Sequence, residues 1–121
     1  MDYQEPPVYR AAYELTLAIC RLVKDCPKDY KDNLGRQLQE EALKLETIIY
    51  RVNDSENKAV SLQAALASCY LIRMIIRLFL DLGQMKIETN ISLNLKIEEV
   101  AKQLAGWKKA QTEPHLTPVL K

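Results

Sequence analysis

Apolar residues recur along this chain at steps of three and four, the spacing of a helix that buries one face. In the first segment, about 8–25, they fall at Val8, Ala12, Leu15, Ile19, Leu22 and Cys26. A second segment, about 29–52, repeats the pattern at Leu34, Leu38, Ala42, Leu45, Ile48 or Ile49, and Val52. A third, about 57–82, places Val60, Ala64, Ala67, Leu71, Met74, Ile75, Leu78 and Leu82 on more than one face. Such a helix is expected to bury two sides, and self-association is one way to do so. A fourth, about 89–109, steps through Leu93, Ile97, Val100, Leu104 and Trp107.

Breakers agree with these bounds. No proline lies between Pro27 and Pro114, so long helices are unopposed. Pro7 suits a first turn, and Cys26-Pro27 ends the first helix because the residue before proline avoids the α region. Asp29 or Asp32 is the expected cap of the second helix. Gly35, early in that helix, marks a distorted turn or a close approach of backbone. Gly83 is the expected stop of the third helix. Residues 110–121 hold Pro114 and Pro118 without periodicity and are expected to form a flexible tail.

Four comparable seams joined by short connectors predict an all-α fold: one domain, an antiparallel up-down-up-down four-helix bundle over residues 1–109. A length of 121 residues fits one domain with its own core. Three cysteines without Cys-x-x-Cys spacing read as reduced thiols in a cytoplasmic setting. Cys26, before Pro27, is expected to be the exposed one. Arg73 and Arg77 inside the apolar third segment argue against a membrane span.

Catalytic chemistry is not expected. The sole histidine, His115, falls in the tail, and no nucleophile–base pair, metal-ligand spacing or phosphate loop is present. Neither a metal nor a cofactor is implied. The carboxylates Glu40, Glu41, Glu46, Glu98 and Glu99 read as solvated helix faces, with Glu40–Lys44 and Glu98–Lys102 at the favourable i, i+4 spacing.

Net charge is only +1, so any basic site is local. Arg73 and Arg77 share one face of the third helix, among Leu71, Ile72, Met74, Ile75, Ile76, Leu78 and Phe79. A guanidinium in that company is partly desolvated and calls for an anionic partner: an acid on a neighbouring helix or subunit, or a phosphate. Trp107 reads as core or edge packing, or as an interface anchor.

The order of several motifs resembles a known family. They are Pro27 through Tyr30 to Leu34-Gly35-Arg36-Gln37-Leu38, then Asn57-Lys58, the run Tyr70 to Leu78 before Asp81-Leu82, and Leu104-Ala105-Gly106-Trp107-Lys108. Together they look like the four-helix bundle proteins that include the accessory variability determinant of diversity-generating retroelements. Small proteins encoded within intervening sequences of ribosomal RNA genes belong to the same broad family. The resemblance implies a non-catalytic, barrel-shaped homopentamer that associates with a reverse transcriptase and with RNA or complementary DNA during mutagenic synthesis. It carries Arg73 and Arg77 onto basic positions of the third helix and Arg36 onto the arginine after the family glycine. Arg21 and Lys24 complete the expected nucleic-acid or partner contacts. Tyr70, Met74 and Trp107 are the expected oligomer interface. Strong basicity is typical of nucleic-acid-binding members. Here Glu40, Glu41 and Glu46 oppose the cations, although five subunits would gather their Arg73 and Arg77 into one ring. The alternative is an oligomerising bundle of the intervening-sequence type with no nucleic-acid role.

Overall fold

A computed structural model describes residues 6–112. These residues are all helical apart from turns, with four long helices around one core. We number them α1 (Pro7–Lys24), α2 (Arg36–Arg51), α3 (Lys58–Asp81) and α4 (Ile87–Thr112). Helix α1 packs against α2 and α4, and α3 packs against the same two helices, so α1 and α3 lie across the core from each other.

Pro7 opens α1, where its missing N–H has no helical partner to lose. Val8, Ala12, Leu15 and Ile19 point inward as expected, but the last inward residue is Val23, with Leu22 half-buried beside the core. The shift has a local cause. The chain before α2 is not a regular helix from Asp29. It is a single turn, Lys28–Tyr30, followed by a π-helical stretch, Lys31–Gly35, whose Gly35 presses against Val23. No aspartate caps this start: Pro27 occupies the cap position, and Asp32 instead accepts a hydrogen bond from Lys28 Nζ at 3.0 Å. That bond and the Lys28 charge hold the Asp32 carboxyl below its ordinary range.

Helix α2 buries Leu38, Ala42, Leu45 and Ile49, so Ile49 rather than Ile48 is the seam residue. A short 3-10 turn, Val52–Asp54, leads to Asn57, whose side chain accepts the Val60 N–H at 3.1 Å and caps α3. Gly83 then ends α3 with φ of 73°, the left-handed conformation that glycine adopts without penalty.

Helix α3 is apolar on more than one face, as expected, and this core takes one of them. Its core face is Leu62, Ala65, Ser68, Cys69, Ile72, Ile75, Ile76 and Phe79. Of the apolar positions named from the sequence, which were placed on more than one face, only Ile75 turns to this core. Val60, Ala64, Ala67, Leu71, Met74, Leu78 and Leu82 are exposed on the opposite side. By length and composition α3 could cross a membrane, yet its other face supplies the middle of this core.

Helix α4 buries Leu93, Ile97, Val100 and Leu104 as expected, and Trp107 packs half-buried on the same core. It starts at Ile87 and runs to Thr112, three residues past the expected Lys109. The rest of the expected tail, with His115, lies outside the described residues.

Candidate partner-binding surface

The i, i+4 spacing of Arg73 and Arg77 places both on the side of α3 that turns toward α4. Together with Tyr70 and Met74 of α3 and Asn90 and Asn94 of α4, they line a groove of about 670 Å³. The two arginines differ sharply. Arg77 is solvated, with 82% of its side chain exposed, and pairs with Asp81 one turn on at 3.6 Å. The expectation of desolvation therefore fails for Arg77. Its ion pair is open to water and contributes little to stability.

Arg73 is half-buried, and its Nε is sealed from solvent with no hydrogen-bond partner among the described residues. A buried donor left unpaired costs about 1–3 kcal/mol. The opposite wall is internally satisfied: Asn94 donates from Nδ2 to the Asn90 backbone carbonyl at 3.0 Å and to Asn90 Oδ1 at 3.1 Å. Beneath Arg73, burial pushes the Cys69 thiol up to about 11, while the guanidinium pulls it back toward the thiolate. The groove thus sets the open Arg77 guanidinium beside the exposed side chains of Tyr70 and Met74, while the Arg73 Nε lies sealed below the surface.

The other candidate residues do not join this groove. Arg21 and Lys24 are exposed in the last turn of α1. Arg21 borders a separate depression between α1 and α4, with Arg10, Tyr13, Glu14 and Lys96. There Arg10 pairs with Glu14 at 3.6 Å. Arg36 is exposed at the start of α2. Trp107 also lies apart from Tyr70 and Met74. It borders an apolar depression of about 290 Å³ with Pro7, Val8, Tyr9 and Asn53.

Two expectations about side chains need correction. Cys26 is buried, its Sγ donating to the Leu22 carbonyl at 3.4 Å under the Pro27 turn, and Cys20 is the more open thiol. Lys44 turns to Glu41 at 4.0 Å rather than to Glu40, and Glu41 accepts a 2.6 Å hydrogen bond from Ser68 across the α2–α3 contact. Among the described residues no group of His, Cys, Asp or Glu side chains is arranged to hold a metal.

Asn90 and Asn94 are not among the sequence-predicted site residues, although their i, i+4 spacing beside the inward Leu93 and Ile97 places them on one flank of α4. No protein-family model and no curated protein matches the chain.

Proposed function

We propose that this chain is a non-catalytic binding module, an accessory protein of a diversity-generating retroelement. In this reading it is a cytoplasmic homo-oligomer that holds reverse transcriptase and RNA or complementary DNA during mutagenic synthesis. One observation carries the reading: Arg73 and Arg77 line one groove beside the exposed side chains of Tyr70 and Met74. A phosphate or carboxylate of a partner would meet the solvated Arg77 guanidinium in this groove. The motif order quoted above supplies the retroelement context. The antiparallel up-down-up-down order belongs to the same proposal. In its support, the start of α1, the α2–α3 connector and the end of α4 border one depression. The end of α1 and the α3–α4 connector border another.

The surroundings of the gene test this reading. A neighbouring reverse transcriptase gene with a template and variable repeat pair is expected, and its absence would count against the retroelement role. At the bench, the chain should capture its cognate polymerase, and Arg73→Glu with Arg77→Glu should abolish capture. Undiminished capture by that variant removes both residues from the role. A purely oligomerising bundle is the second reading, favoured by the exposed apolar side of α3.

A further inference from the structure

The Asn90–Asn94 wall of the α3–α4 groove has a fixed polarity. A backbone carbonyl can only accept, so the 3.0 Å bond to the Asn90 carbonyl makes Nδ2 the group that Asn94 presents there. The other hydrogen of the same Nδ2 goes to Asn90 Oδ1 at 3.1 Å, which sets the Asn90 amide with its oxygen toward Asn94. Each amide thus holds the other in one orientation. Left over are one acceptor, Asn94 Oδ1, and one donor group, Asn90 Nδ2. Neither has a hydrogen-bond partner among the described residues. Both residues are half-buried and line the groove.

A donor beside an acceptor is the complement of a nucleobase edge, where an N–H group stands next to a ring nitrogen or a carbonyl. The α3 wall suits the rest of a nucleotide. The Tyr70 side chain is 62% exposed and offers a ring face on which a base can stack. Arg77, two turns on, is solvated, and its pairing with Asp81 is open enough to water for a phosphate to share the guanidinium. The volume of about 670 Å³ is that of a groove able to hold a small organic group.

In a duplex each base spends its pairing edge on its complement and hides its face in the stack, so a duplex offers this groove neither. From the locked amides we infer that the α3–α4 groove holds one unpaired base of a single strand. Asn90 Nδ2 and Asn94 Oδ1 meet its edge, Tyr70 its face, and Arg77 a neighbouring phosphate. The inference rests on the nucleic-acid reading of this groove and narrows it, from attraction of any phosphate backbone to recognition of an exposed base. The two kinds of contact are separable, because phosphate contacts carry the salt dependence and uncharged contacts to a base do not.

Fluorescence anisotropy with the full chain tests it. The probes are a short labelled RNA strand, a strand of equal length and charge built from abasic residues, and the RNA duplex, each at about 50 mM salt, where phosphate contacts are strong. Wild type is expected to hold the intact strand at least tenfold more tightly than either of the others. Asn90→Ala with Asn94→Ala, which favours the helix, should lower affinity for the intact strand about tenfold, keep the salt slope and leave the abasic strand unaffected. Tyr70→Leu keeps an apolar side chain, removes the ring and should act in the same way. Arg77→Gln should instead flatten the salt slope on the intact and abasic strands alike. Equal affinity for the intact and abasic strands, tighter binding of the duplex, or an asparagine double variant as tight as wild type would each overturn the inference and leave phosphate attraction standing. Binding of none of the three probes would end the nucleic-acid reading and this inference with it.

Discussion

Gly35 and Val23 touch so closely that a Cβ built on Gly35 would lie 2.8 Å from Val23 Cγ1 and 2.9 Å from the Tyr30 carbonyl oxygen. Neither neighbour can swing aside cheaply: one is a fully packed β-branched residue, the other backbone of the same turn. The π-helical stretch before α2 thus brings bare backbone onto the end of α1. Gly35→Ala is expected to cost about 1–3 kcal/mol through overpacking, although alanine is the better helix former. Urea denaturation of the two chains measures it. Unchanged or raised stability would mean the turn rearranges freely.

That contact shows how far the sequence could be read. The glycine inside an otherwise helical pattern signalled a close approach, and Val23, not Leu22, turned out to be what it approaches. The seams of α1, α2 and α4 were legible because their opposite faces are polar. The face that α3 buries was not. Its two sides are both apolar, and the core side even contains Ser68, so periodicity could not choose between them. Cys26 is buried, not exposed, because a residue before proline ends a helix without having to leave the core. The groove was half legible. The spacing of Arg73 and Arg77 gave one wall, whereas the Asn90–Asn94 wall and the unlike fates of the two arginines depend on how α4 packs beside α3.

The Ser68 hydroxyl donates to Glu41 Oε2 at 2.6 Å, and only 13% of the Glu41 side chain is exposed. A short bond to a shielded carboxylate is worth about 1.5–3 kcal/mol. Ser68→Ala should lose stability of that order, because the carboxylate keeps its burial and loses its donor. Glu41→Ala combined with Ser68→Ala should lose less than the two single changes added together. Strict additivity in thermal or urea unfolding would mean that the pair contributes nothing as a pair.

Cys69 gives a pH signature. Burial raises its thiol from 9.0 to about 11 in the folded chain, so the folded state holds that proton more tightly than the unfolded state does. Its contribution to stability is complete below about pH 9 and fades as pH rises toward 11, by an order of 2–3 kcal/mol. Urea midpoints at pH 8 and pH 10.5 should therefore fall further in wild type than in Cys69→Ala. Parallel falls would show that the thiol does not titrate with unfolding. Cys20, the more open thiol, should react first with iodoacetamide at pH 8, and Cys69 only after unfolding.

The central claim is that Arg73 and Arg77 face an anionic partner, and salt-dependent binding of single-stranded RNA tests it most directly. Fluorescence anisotropy of a labelled strand, titrated with the full chain from about 50 to 200 mM salt, gives affinity and slope together. Binding is expected to weaken with salt. With Arg73→Gln and Arg77→Gln, affinity should be at least tenfold lower and the slope flatter by roughly 0.7 for each contact removed. No binding at 50 mM salt, or an unchanged slope in the double variant, would contradict the claim.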